Sequence, residues 1–383
     1  MLSNIGELFD GTEEIIEKSS LEKKLRSGRK LRVKFGIDPT KPDIHLGHTV
    51  PFRKLRQFQK AGHKAVLIIG DFTAQIGDPS GRSEERSLLT EKEVKNNFKN
   101  YLRQAGKVID LKKTEIRYNS EWLDKDKKIF LKLASLATAQ QILEREDFQK
   151  RFREGNGPTV LEMMYPIFQG YDSVMVKADI EIGGTDQKFN LLMGRRLQRR
   201  FNQAEQDVIT LPLIEGTDGV RKMSKSFGNY IGLEEAPGAM FGKIMSIPDS
   251  LIGRYFEFFT DAIKPKEETP YNQKLILAET IVAAYHSQVM ASGAKEEFRR
   301  VFSKKEAPQV LPDFKFGENQ PLLIDLVAAA SGKSRSEARR LILQKAVSLS
   351  ERVCADPAEK VFLHSGDVLK IGKHGFYKIV IRN

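Results

Sequence analysis

The chain has 383 residues, 40% of them hydrophobic and 30% charged, which leaves room for two or three globular domains. No apolar run reaches the roughly 18 residues of a bilayer-spanning helix, and Met1 to Lys18 lacks the pattern of a signal peptide, so a cytoplasmic location and no membrane partner are expected. One cysteine, Cys354, excludes an internal disulfide and a cysteine-based zinc site, while a net charge of +12 and a pI near 9.4 suit a polyanionic partner.

Residues 31–37 read as a buried strand, 46–61 as a helix, 65–70 as a second strand, 91–105 as a charged helix and 114–118 as a third strand. Residues 121–175 read mainly as helices inserted between the halves of a sheet. Alternation resumes with a strand at 179–183, a helix over about 185–201 and a strand at 208–214. This pattern predicts a doubly wound, Rossmann-like α/β domain on a parallel sheet. The expected organisation is a Rossmann-like domain at 1–215 with its insertion at about 120–175, and a loop and helical domain at 216–305. A linker at 306–320 and a small α+β unit at 321–383 follow.

The segment 36–48 reads GIDPTKPDIHLGH. It places His45 and His48 on one side of a helix start, where unpaired N–H groups and the dipole attract phosphate. Gly47 presents no side chain, so a flat base can approach the backbone. Surface histidines and a metal site are the alternatives; the second lacks nearby cysteines or an obvious third ligand. Residues 222–226 read KMSKS in a loop with Gly216, Gly219 and Gly228, which predicts mobility. Lys222 and Lys225, three apart, suit a triphosphate whose charge grows during displacement; a merely solvated basic loop is the plainer reading. Tyr165, Gln169 and Asp172 form a polar stripe on one face of an apolar helix, either a closed hydrogen-bond network or a ligand pocket.

HLGH followed by KMSKS resembles the class I aminoacyl-tRNA synthetases. The segments GDFTAQIGDPSGRSEER at 70–86, YPIFQGYDS at 165–173 and IGGTDQKFN at 182–190 narrow the resemblance to the bacterial tyrosyl-tRNA synthetases over almost the whole chain. The resemblance implies that ATP, with Mg2+, is a substrate and that no cofactor is tightly bound. It places ATP on Gly36, Asp38, His45, Gly47, His48, Gly184, Asp186, Lys222, Ser224 and Lys225. For Asp186, a helix N-cap is the plainer role, and the two are compatible. Thr40, His45, His48, Lys222, Lys225, Arg82 and Arg86 take the phosphate chemistry. Tyrosine falls to Asp78, Tyr165, Gln169, Asp172 and Gln187, with Asp172 accepting the phenol proton. Phenylalanine would leave that acceptor unpaired; the tyrosine–phenylalanine pair is the standard illustration of this rule.

Two positions depart from the family pattern. Lys34 stands where many members have Tyr, and Glu181 where Gln is common. Lys34 either pairs with Asp172 or turns away.

The partners implied are tRNA(Tyr), L-tyrosine, ATP and a second copy of the chain, meeting near 120–175. Residues 321–383 carry 11 Lys/Arg against 6 Asp/Glu. Within them SRSEARRLILQKAVSLS reads as a capped basic helix turning into a strand, and Arg335, Ser336, Arg339 and Arg340 are expected to face RNA, with simple solvation as the alternative. Helix 188–200, with Lys188, Arg195, Arg196, Arg199 and Arg200, either lines the acceptor arm or is merely exposed. The rivals are a tryptophanyl-tRNA synthetase, a non-catalytic RNA-binding regulator on a synthetase scaffold and a small-molecule adenylyltransferase.

Overall fold

In the computed structural model, residues 5–40, 43–80, 90–125, 127–303, 311–350, 352–372 and 375–381 are described. The chain divides into two compact units, Met1–Ser292 and Gly293–Asn383.

The first unit is built on a six-stranded sheet. Its strands in chain order are β1 (Glu14–Ile16), β2 (Arg32–Ile37), β3 (Lys64–Ile69), β4 (Glu115–Tyr118), β5 (Ile180–Gly184) and β6 (Asp207–Leu211). Their spatial order is β1-β6-β5-β2-β3-β4, parallel throughout except for β1, which pairs antiparallel to β6 at the edge. Val33, Ala65 to Ile69 and Val208 to Leu211 are buried as near-continuous apolar runs, as a parallel sheet covered on both faces requires. The strand order reverses between β2 and β5. In such sheets the crevice beyond the carboxyl ends of the strands at this switch point receives ligands.

The expected insertion consists of helices Ser120–Leu123, Lys127–Ala134, Ala139–Leu143, Glu146–Arg153 and Val160–Val176. Thr138 and Thr159 cap the third and fifth, each answered by a side chain three residues on, Gln141 and Glu162. Val160–Val176 packs against helix Lys188–Arg200 through Gly170 and Gly194. A Cβ on Gly170 would stand 3.1 Å from the Gly194 backbone nitrogen, and one on Gly194 would stand 2.5 Å from Gln206 Nε2. The two glycines therefore set how closely these helices approach. Helices Pro237–Met245, Ile252–Phe259 and Pro270–Tyr285 follow the KMSKS loop, and Gln288–Phe298 crosses the division between the units.

The second unit holds a five-stranded sheet of β7 (Asp313–Phe316), β8 (Val347–Leu349), β9 (Arg352–Cys354), β10 (Val368–Ile371) and β11 (Gly375–Ile381), in the order β7-β11-β10-β8-β9. Helices Leu323–Ser331 and Arg335–Leu343 bury Leu326, Val327, Ala338 and Ile342 with Val347, Leu369 and Ile379. The expected linker at 306–320 is corrected here. Residues 313–316 form β7, parallel to β11, because alternating Phe314 and Phe316 offer a strand one apolar side.

Candidate active site

The carboxyl ends of β2 and β5 open into a cavity of about 970 Å³. Every described residue expected to bind ATP or tyrosine lines it: Gly36, Asp38, Thr40, His45, Gly47, His48, Asp78, Tyr165, Gln169, Asp172, Gly184, Asp186, Gln187, Lys222, Ser224 and Lys225. Arg82 and Arg86 lie outside the described residues.

His45 is the N-cap of helix Leu46–Lys60, with extended backbone, and its N–H donates to His48 Nδ1 at 3.2 Å. The rings stack with centroids 3.7 Å apart. This turn is tied to the chain that follows KMSKS: Leu46 N–H donates to the Ile231 carbonyl at 2.9 Å and Leu233 N–H to the Ile44 carbonyl at 3.0 Å. Met223, buried in the middle of KMSKS, lies beneath Gly47, whose N–H meets its sulfur at 3.3 Å. A Cβ on Gly47 would come within 3.1 Å of the His45 ring. Gly47 thus has a packing reason to be glycine beyond the approach of a base, while Gly36 has open space where a Cβ would stand.

Both motif lysines rest on carboxylates. Lys222 Nζ is 3.2 Å from Asp186 Oδ2, and Lys225 Nζ is 2.7 Å from Asp43 Oδ2. Asp186 sits inside the 3-10 turn Thr185–Gln187, and the residue that caps helix Lys188–Arg200 is Gln187, so the N-cap reading of Asp186 is not what the fold uses. Ser224 accepts from Ser226 N–H at 3.3 Å and caps the turn Lys225–Phe227. The loop closes around buried Asn229, whose amide donates to the Arg221 and Lys222 carbonyls at 3.1 and 3.2 Å. A Cβ on Gly216 would overlap the Asn229 carbonyl oxygen at 2.2 Å, so this glycine serves close packing.

The amino-acid end is polar but organised. Tyr165 donates its hydroxyl to Asp38 Oδ2 at 2.9 Å, and Thr73 donates to Asp38 Oδ1 at 2.8 Å. Gly70 makes room: a Cβ there would lie 2.0 Å from Asp38 Oδ1. Burial, with Asp38 and Asp78 nearby, drives the Tyr165 hydroxyl well above its ordinary pKa, so it stays a donor. Gln187 Nε2 donates to Asp78 Oδ2 at 2.6 Å. Behind them Asn190 donates to Gln187 Oε1 at 3.0 Å, and buried Arg145 donates to Asn190 Oδ1 at 3.2 Å and Ser80 Oγ at 3.1 Å. Asp172, 3% exposed, accepts from the indole N–H of Trp122 at 2.9 Å. Burial raises the Asp172 carboxyl to about 7, against the opposing pull of Lys34. The stripe Tyr165, Gln169, Asp172 therefore both lines the cavity and enters hydrogen bonds.

Lys34 does not pair with Asp172. Its Nζ lies 2.7 Å from Glu181 Oε1, so the two departures from the family pattern meet each other. Sequence reasoning also missed Thr73, Trp122, Arg145 and Asn190. Of these, only the single tryptophan carried a signal, as an aromatic whose N–H needs a partner once buried.

In the second unit Arg335, Ser336, Arg339 and Arg340 are all exposed on helix Arg335–Leu343. Ser334 caps it in a reciprocal pair with Glu337, and Arg335 reaches Asp325 at 3.2 Å. On helix Lys188–Arg200, Lys188 pairs with Glu14 at 2.7 Å, Arg195 with Glu205 at 2.9 Å, and Arg199 with Glu205 at 2.6 Å. Arg195 is thus committed inside the fold, while Arg196, Arg199 and Arg200 stand exposed. Among the described residues, no group of three or more His, Cys, Asp or Glu could hold a metal ion, and no helix is long and apolar enough to cross a membrane.

A family model described as class I tRNA synthetases (W and Y) matches residues 26–303. The tyrosine–tRNA ligase of Carboxydothermus hydrogenoformans is 49% identical, over 96% of this chain and 94% of its own. That of Aquifex aeolicus is 48% identical, over 97% of each. The crystal structure of tyrosyl-tRNA synthetase complexed with L-tyrosine from Archaeoglobus fulgidus shares the fold, with a TM-score of 0.62 at 20% identity over 75% of this chain and 97% of that one. With its two signature motifs joined across one cleft and these relatives matched over nearly their full length, the chain belongs to the class I aminoacyl-tRNA synthetases, within the tyrosine–tRNA ligases.

Proposed function

We infer that the family's ligase reaction runs in this cleft in two steps. In the first, the tyrosine carboxylate attacks the α-phosphorus of ATP, giving tyrosyl-adenylate and pyrophosphate. In the second, tyrosine passes to the 3'-terminal adenosine of tRNA(Tyr). The observation that carries this reading is the gathering of both histidines, both motif lysines and buried Asp172 around one cavity.

A carboxylate nucleophile needs no general base, so positioning and charge do most of the catalysis. Thr40 and His45 take the β- and γ-phosphates, with His48 beside them. Lys222 and Lys225 exchange their partners Asp186 and Asp43 for the departing pyrophosphate. Both pairs are partly solvated and of the kind worth about 0–1 kcal/mol, so they yield easily to a polyphosphate. Asp38, Gly36, Gly47, Gly184, Asp186 and Ser224 receive the nucleotide, with Arg82 and Arg86 at the pyrophosphate. Mg2+ arrives with ATP, held by phosphate oxygens and water. Tyr165, Gln169 and Asp78 bind the substrate ammonium, Gln187 lies beside it, and Asp172 accepts the phenol proton.

The helical region 230–305 takes the anticodon end of the tRNA, and the exposed arginines of helix Arg335–Leu343 take its phosphates. The chain works as a cytoplasmic homodimer joined near 120–175. ATP–pyrophosphate exchange with each standard amino acid tests the whole reading. Exchange with tyrosine alone is expected; exchange with tryptophan would reassign the pocket, and none at all would leave a binding scaffold.

A further inference from the structure

We propose that the buried Lys34–Glu181 ion pair is the positioning element of the amino-acid pocket, fixing the helix that carries Gln169 and Asp172 and supplying the charge that keeps Asp172 fit to accept a phenol proton. This rests on the reading of Asp172 given above.

Lys34 and Glu181 face each other in register across β2 and β5, at the point where the strand order reverses. Their side chains are 0% and 1% exposed. The Lys34 ammonium donates to Ser173 Oγ at 2.7 Å and to the Gln169 carbonyl at 3.0 Å, and its charge lies 2.7 Å from Glu181 Oε1. Glu181 Oε2 in turn accepts from Ser173 Oγ at 2.9 Å and from Gln206 Nε2. The pair therefore grips helix Val160–Val176 at residues 169 and 173, on either side of Asp172. Lys34 is fully buried and does not line the cavity.

Stability alone gives little reason for such a pair. Taking two charges out of water is costly, and an apolar substitute of equal volume is often neutral or better. What an apolar substitute lacks is a field. The charged groups facing Asp172 are Lys34 from β2, Glu181 from β5 and Asp38 from the loop after β2, with the Trp122 indole from the insertion and the Tyr165 hydroxyl from its own helix. Lys34 favours the carboxylate; Glu181 and Asp38 oppose it, Lys34 weighing more than Glu181. The balance of the pair thus sets the pH above which the pocket holds an acceptor.

Two variants separate this role from plain packing. Lys34→Met with Glu181→Gln removes both charges at similar volume, whereas Glu181→Gln alone leaves Lys34 unopposed. The readout is the ratio of kcat/KM for tyrosine to kcat/KM for phenylalanine in ATP–pyrophosphate exchange, followed against pH. Groups that both substrates share cancel in that ratio, which reports the free enzyme's acceptor. The midpoint of its rise is expected to move to higher pH in the double variant and to lower pH in Glu181→Gln, each by about one unit. A packing role predicts reduced melting temperature or kcat with an unmoved midpoint, and that result in both variants overturns the proposal. Should the double variant fail to fold, the isosteric Glu181→Gln decides alone. Asp172→Asn is expected to flatten the profile. If it keeps the wild-type profile, the assignment of Asp172 itself falls, and the proposal with it, a failure recognisable because the pair is untouched.

Discussion

The cleft of the first unit and the basic helix of the second use positive charge in opposite ways. In the cleft each described motif lysine sits on a carboxylate, and Lys34 and Arg145 are buried among partners. On helix Arg335–Leu343 the arginines stand in solvent, with Arg335 leaning on Asp325 across an exposed contact. A paired, partly dry cation acts at one place and is felt mainly where charge develops. A solvated cation contributes to a field that salt screens. Changing one should alter a chemical step, and changing the other should alter an affinity.

The largest effect should come from Lys225→Ala. Adenylate formation in pre-steady-state kinetics is expected to slow by about a hundredfold or more, as for loss of one transition-state donor, while tyrosine affinity barely changes. Equal losses in both would erase the contrast by making the lysine a general binding residue. Asp172→Asn comes next. It should cut the preference for tyrosine over phenylalanine by about 10–100-fold, the cost of an ill-matched buried partner.

The same substitution has a stability signature. Burial places the Asp172 carboxyl at about 7, above its ordinary 3.8, so the folded chain holds a proton there that the unfolded chain releases. The stability tied to the neutral acid is complete below about pH 4 and is lost as pH rises through about 7. Asp172→Asn should therefore raise the melting temperature relative to wild type more at pH 8 than at pH 5. A gain that does not vary with pH would show that the carboxyl titrates normally.

Gly194→Ala should cost about 1–3 kcal/mol in denaturant unfolding, because its Cβ would press on Gln206 behind the Lys34–Glu181 pair. The smallest effect belongs to the second unit. Arg339→Ala with Arg340→Ala should weaken tRNA binding a few-fold and lower the slope of log K against log salt by roughly one to two, leaving exchange without tRNA unchanged. A salt-independent loss would place these arginines in specific contacts instead.

The strands of the doubly wound sheet were legible because a parallel sheet buried on both faces leaves uninterrupted apolar runs such as 65–69. The short edge strand β1 was not, since three residues with two acidic neighbours carry no pattern. The KMSKS loop was legible from its lysines, but its architecture was not. Asn229 organises it through contacts to backbone carbonyls, which no spacing announces. β7 was hidden among prolines and polar residues because it is held by partners on β11, far along the chain. The pocket residues came from motifs; their supports, Thr73, Arg145 and Asn190, came only from folding, because each lies on a different segment and reaches the pocket in space alone. Lys34 and Glu181 were each visible as an oddity, and only the register of β2 against β5 turns two oddities into one pair.

The chain has a single tryptophan, and its indole N–H is bonded to the carboxylate expected to meet the substrate phenol. Its ultraviolet emission is therefore a built-in optical gauge of that end of the pocket. A fluorescence titration with tyrosine, without label or coupled assay, should read occupancy at Asp172 directly, with phenylalanine giving the smaller change of a ligand that fills the space without reaching the acceptor.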